Sequence, residues 1–176
     1  MKQSALNLSL GALSASLICV CAWIAVPVGG VPMTLQTFGV AFCGYLLGAK
    51  RGACAAVLYL ALGAVGLPVF AGFGGSLAFL VGPTGGYLVG FPLMAWLCGL
   101  ASRRKTIFCE LTLTLCGLVF CHLTGTLWFA RVSGISVKQA FFVASLPYIA
   151  KDVLCVIGAR VLFHKLRKRH TGMARF

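Results

Sequence analysis

"FAGFGGSLAFLVGPTGGYL", residues 70–88, decides how this 176-residue chain is read. Six glycines fall in nineteen residues, yet long apolar runs flank the stretch on both sides. Glycine loses more conformational freedom on folding than any other residue, so such crowding is costly unless the backbone needs unusual angles or close approach. Gly72, Gly74 and Gly75 allow sharp turns. GPTGGY (82–87) reads as a turn opening a helix, with Pro83 suited to the first turn because its missing N–H costs nothing there. Gly85 and Gly86 let another backbone or a ligand come near. Irregular backbone at membrane depth is tolerated only where it is buried in protein or lines a cavity. The stretch therefore predicts a compact strap, with Gly74, Gly75, Gly85 and Gly86 as its gate, folded over or into an outward-facing pocket. A glycine-rich turn serving tight helix packing is the plainer alternative. The loop PVGGVPMTLQT (27–37) has the same character, and its Thr34 and Gln36 add hydrogen-bonding groups beside the pocket mouth.

The flanks make this an integral membrane protein. The chain is 60% hydrophobic and 10% charged, with a mean hydropathy of +1.01. Soluble domains carry about 25% charged residues. Six apolar runs, roughly 5–26, 35–49, 53–69, 84–102, 106–130 and 140–164, approach the about 20 residues that a spanning helix needs. They run without alternation, which disfavours a β-barrel. The expected fold is an all-α bundle of six transmembrane helices, one domain over residues 1–176, with glycine-rich outer loops and no room for a soluble catalytic domain. Eleven of the 15 Lys and Arg residues fall at the N-terminus, the 2–3 turn, the 4–5 turn and the C-terminus. The positive-inside rule then puts both termini in the cytoplasm. The net charge of +13 is thus a topology signal and does not point to nucleic acid. The HKLRKRH run at 164–170 can also meet anionic lipid headgroups.

Few groups could carry chemistry. The N-terminal apolar run looks like a secretory signal, but five further runs follow and Ile18 before Cys19 is not the small residue that a lipoprotein cleavage site wants. Nine cysteines, an odd number without a CxxC pair, read as small packing residues with neither disulfides nor zinc. The three histidines read as packing or as part of the basic tail. Glu110 and Asp152 are the sole acids, too few for the carboxylate-held metals of membrane phosphoryl-transfer enzymes. GYLLGAK, ending at Lys50, lacks the second glycine and the Ser/Thr of a phosphate loop. Uphill transport would need a partner or an ion gradient.

Asp152 is the exception. It lies about eleven residues into the last run, on the order of 16 Å from its start. A charge at mid-membrane costs about 2.5–3.5 kcal/mol on insertion scales. Two readings stay open. Asp152 and its neighbour Lys151, which do not face each other well on a helix, neutralise one another or pair with other helices; or they form a polar site facing a cavity, since ionisable groups inside spans mark substrate paths. Glu110, one to two turns from Arg103, Arg104 and Lys105, reads as their partner at the cytoplasmic edge, and Arg160 can snorkel to the same side.

VPMTLQT (31–37), GLPVFAGFGG (66–75), GPTGGYLVGF (82–91) and PYIAKD (147–152) together resemble the BioY family, in order and over nearly the whole chain. That family provides the biotin-binding S component of energy-coupling-factor (ECF) vitamin transporters. The resemblance implies a six-helix bundle in the cytoplasmic membrane that binds biotin from outside. It also implies a transmembrane T component and two ATPase subunits as partners, and no resident cofactor. Biotin's ureido ring offers two N–H donors and a carbonyl, so the Asp152 carboxylate would make charge-assisted hydrogen bonds to it. Tyr87 could pack on the ring and offer its hydroxyl; Gln36 and Thr84 are further polar contacts. One departure stands out. The family pattern places a glycine before the acid and a lysine three residues after it. This chain has Lys151 and Cys155 there. Positions 151 and 155 are one helical turn apart, so Lys151 is expected to supply the missing cation; a vitamin analogue as ligand, or weaker biotin binding, is the alternative.

In the first run, Gly11 with Ala15 and Ala12 with Ser16 have the small-xxx-small spacing that lets helices approach in lipid. The resemblance assigns such a face to docking of the T component; packing within the bundle is equally open. Two alternatives to an S component remain: a stand-alone or proton-coupled carrier with Asp152 as its proton site, and a membrane enzyme, which the two-acid count disfavours.

Overall fold

A computed structural model describes the backbone of residues 2–28 and 31–173 and the side chains of residues 9–27 and 31–169. It is all-helical apart from one hairpin. Helices α1 (Lys2–Trp23), α2 (Gln36–Leu47), α3 (Ala49–Ala64), α5 (Gly85–Ala101), α6 (Ile107–Ser133) and α8 (Leu146–Met173) each overlap one of the six predicted apolar runs, several of them extending past its ends. Two short helices lie between them, α4 (Leu77–Val81) and α7 (Val137–Ala144). Among the described residues, α6 alone is long and apolar enough to cross a membrane by itself. α7 and α8 pass the same test together, bent by 52°.

Three expectations need correction. The predicted loop 27–37 is instead an antiparallel hairpin, β1 (Ala25–Val28) with β2 (Val31–Thr34), and Gln36 already opens α2. The third run ends as helix at Ala64, leaving 65–69 to the strap. The last run is broken at Ser145, because Pro147 follows two residues later: a proline disfavours helical geometry at the residue before it and is tolerated only in a first turn.

The bundle is built on close backbone approach. α5 packs against α2, α3 and α6. A side chain at Gly44 would strike the Ala95 carbonyl, one at Gly52 the Gly44 backbone, and one at Gly99 the backbone of Gly48 and Ala49. Small residues at such crossings are how helices associate in lipid, where no hydrophobic force separates protein from solvent. Gly48 joins α2 to α3 at φ +80°, a left-handed angle that favours glycine. Tyr45, Tyr59, Phe70, Ile18 and Met94 are fully buried in the core.

Glu110, in the first turn of α6, pairs with groups of α8 and not with Arg103, Arg104 or Lys105. It is buried, 3% exposed, and ties α6 to α8: Arg160 Nη2 lies 3.0 Å from Oε2, and His164 Nε2 lies 2.7 Å from Oε1. Arg160 is thus held in this cluster rather than snorkelling away. A buried acid is tolerable when a cation and hydrogen bonds meet it.

Candidate functional site

Between α3 and α5 the strap folds as a short helical turn (Ala71–Phe73) followed by α4. Gly72 and Phe73 both take left-handed angles, φ 69° and 59°. That geometry is unfavourable for phenylalanine. Stacking on Trp23, with ring centroids 5.1 Å apart, offsets it. The Trp23 indole N–H donates to the Pro68 carbonyl at 2.9 Å, and the Trp128 indole N–H to the Gly82 carbonyl at 2.9 Å. Two helices therefore pin the strap. Phe70 turns inward onto Tyr59 and Phe79.

Beneath the strap lies a cavity of about 130 Å³. Its walls are mostly apolar and aromatic, including Phe70, Phe79, Phe91 and Tyr148; its polar groups gather around α8. Because α8 starts at Leu146, Asp152 sits in its second turn, next to the break, and not deep in one continuous helix. It is 6% exposed. Lys151 Nζ lies 2.5 Å from Asp152 Oδ1, so the two neighbours do face each other. The contact is an ion pair, and Oδ1 has no hydrogen-bond partner. Lys151 Nζ also donates to the Thr34 carbonyl at 2.7 Å, bracing α8 against β2. His122 of α6 approaches the other oxygen, Nε2 to Oδ2 at 3.2 Å, while its buried Nδ1 has no partner. The carboxylate thus stands between two basic side chains from two helices, on the edge of an apolar cavity.

Of the residues singled out in the sequence, Gln36, Thr84, Tyr87, Lys151 and Asp152 line this cavity together. Besides Lys151, Gln36 and Tyr87 have their polar atoms engaged. Gln36 Nε2 donates to the Tyr59 hydroxyl at 2.6 Å, and its Oε1 accepts from Thr34 Oγ1 at 2.9 Å. The Tyr87 hydroxyl does not stand ready for a ligand: it donates to the Ala144 carbonyl at 2.5 Å and lies 2.8 Å from Ser145 Oγ, closing the break between α7 and α8. Thr84 caps no backbone group of α5 with its side chain. Cys155 is buried one turn beyond Lys151 and lies outside the cavity lining.

The four gate glycines all occupy closely packed positions. A side chain at Gly74 would collide with the Phe79 ring, at Gly75 with the Leu67 carbonyl, at Gly85 with the Leu80 carbonyl, and at Gly86 with Trp128. None of the four lines the cavity. In the small-residue face of α1, Ala15 is buried, Ala12 and Ser16 are exposed, and a side chain at Gly11 would meet nothing within 4 Å.

Sequence reasoning missed His122, Thr37, Tyr148 and Phe91, all of which line the cavity. His122 had a usable signal: an ionisable residue in the middle of an apolar run, the same criterion that singled out Asp152. Among the described residues no group of three or more His, Cys, Asp or Glu could hold a metal ion.

Fold and site together define an apolar helical bundle with a partly open cavity of small-molecule size. The chain belongs to the BioY family, whose sequence profile matches residues 1–172. A protein of Pyrococcus horikoshii named a probable biotin transporter is 41% identical over 165 residues, covering 94% of this chain and 98% of the relative. A biotin transporter of Thermotoga maritima is 40% identical over 154 residues, covering 87% and 90%. Among solved structures, the S-component for biotin from an ECF-type ABC transporter superposes with a TM-score of 0.86 at 30% identity, over 95% of this chain and 93% of that one. The family resemblance read from four motifs therefore extends over the chain. The family and these relatives are transporters, which sets the enzyme reading aside.

Proposed function

We propose that this chain captures biotin as the S component of an ECF transporter in the cytoplasmic membrane, energised by a separate T component and two ATPase subunits. The supporting observation is the Asp152 carboxylate, buried against a cavity with one oxygen lacking a hydrogen-bond partner. Biotin's ureido N–H groups would donate to it and its carbonyl would accept from Lys151, while the thiophane ring and chain lie against Phe70, Phe79 and Phe91. Lys151 takes the place of the family lysine that is Cys155 here, since it reaches the cavity and Cys155 does not. Six spans with both termini in the cytoplasm complete this reading, and the exposed Ala12 and Ser16 are the face offered to the T component.

Isothermal titration of the purified protein with biotin and desthiobiotin tests it. Asp152→Asn should weaken binding about 10- to 100-fold, the worth of one hydrogen bond to a charged group. Tight binding that survives the substitution would remove the site. The His122–Asp152 contact supports a second reading, a proton-coupled carrier. Uptake that persists without ATPase partners and collapses with the proton gradient would favour it.

A further inference from the structure

A second hollow, about 620 Å³, lies on the flank of the bundle between α6, α7 and α8. Its origin is the break at Ser145. α7 swings away from α8 by 52°, whereas α6 and α8 are drawn together at the far end by Glu110 with Arg160 and His164. The gap between them is apolar. Leu118 and His122 form its floor and also line the biotin cavity, so one wall serves both. Val119, Leu123 and Leu127 form an exposed side of it, where bilayer hydrocarbon would lie.

Hydrocarbon would fill any such cleft; two cations make this one a site. Lys138, in the first turn of α7, lines the hollow. Arg131, in the last turn of α6, follows Leu127 by four residues and so shares its face. Both are exposed. The bias that gathers Lys and Arg at the cytoplasmic side should empty this end of cations. These two stand on either side of the turn between α6 and α7; Lys138 lines the groove and Arg131 lies one helical turn beyond its Leu127. We propose that the groove holds one acyl chain of an anionic phospholipid from the surrounding bilayer, with the phosphate held by Arg131 and Lys138. The bound chain backs the wall formed by Leu118 and His122.

The test uses the full chain in nanodiscs of equal parts phosphatidylglycerol and phosphatidylcholine, followed by transfer to mild detergent and native mass spectrometry. One phosphatidylglycerol should be retained in preference to phosphatidylcholine. Arg131→Gln with Lys138→Gln should reduce that preference roughly tenfold, since each basic residue near a membrane surface contributes a few-fold. Leu123→Trp, which fills the groove, should lose the retained lipid of either kind. The double variant alters exposed side chains outside the biotin cavity, so its result stands even if Leu123→Trp misfolds. Equal retention of the two lipids, retention unchanged in the double variant, or a dimer of the chain without lipid would each overturn the proposal. Biotin titration plays no part in this readout, so the site stands or falls apart from the transport reading.

Discussion

Lys151 and Asp152 are adjacent in sequence and in space, with their charges in contact, one Lys151 donor spent on the Thr34 carbonyl and Asp152 Oδ1 without a hydrogen bond. A ligand that donates to the acid and accepts from the lysine can exploit both. Lys151→Ala is therefore expected to weaken biotin binding about tenfold or more in a calorimetric titration; an unchanged affinity would show that the cation is not used. His122→Leu should cost a similar factor by leaving Oδ2 without its neighbour, with His122→Gln recovering part of it. Asp152 was legible from sequence because a lone acid in an apolar run is expensive. His122 was not, because a single histidine in a helix is more often packing than ligand contact. Its role emerges only when α6 and α8 are brought together. The strap glycines were legible as close-approach positions but not as to what approaches: at Gly85 it is the Leu80 carbonyl and at Gly86 the Trp128 side chain.

Among the elements, α8 carries the most consequence. An uninterrupted apolar run concealed its break, although Pro147 was a readable sign of a helix start. Ser145, fully buried at the break, shares its hydroxyl with Tyr87 and Thr126, at 2.8 and 2.6 Å. The other end of α8 is held by Glu110. Glu110→Gln should lower stability by about 3–5 kcal/mol, because it strands the Arg160 guanidinium without its counter-charge. Pairing it with Arg160→Met should restore most of that loss, since replacing both members of a buried pair by an uncharged set is often neutral. Thermal unfolding in detergent measures both. Gly99→Ala would push a methyl into the Gly48–Ala49 backbone and should cost about 1–3 kcal/mol in the same assay, the usual range for overpacking.

At the scale of the molecule, α2 has 12 residues and α3 has 16, about 18 and 24 Å of helix against a hydrocarbon core of about 30 Å. This pair turns sharply at Gly48 and is shielded by α5, so length alone understates what it can cross. Topology reporters fused to either end should both read cytoplasmic if the six-span arrangement holds; opposite readings would require an odd number of crossings. The count of apolar runs was visible in the sequence because hydropathy is local. The hairpin and the strap's fold were not, since both depend on distant partners, Tyr148 on the Val31 carbonyl and two indoles on the strap.

Those indoles give the protein an optical gauge of its own. Trp23 and Trp128 grip the strap from opposite ends, and the remaining tryptophan, Trp96, stands apart on α5. Should a ligand displace the cover, the polarity around two of three natural fluorophores would change, and ultraviolet emission would report its entry without a single added dye.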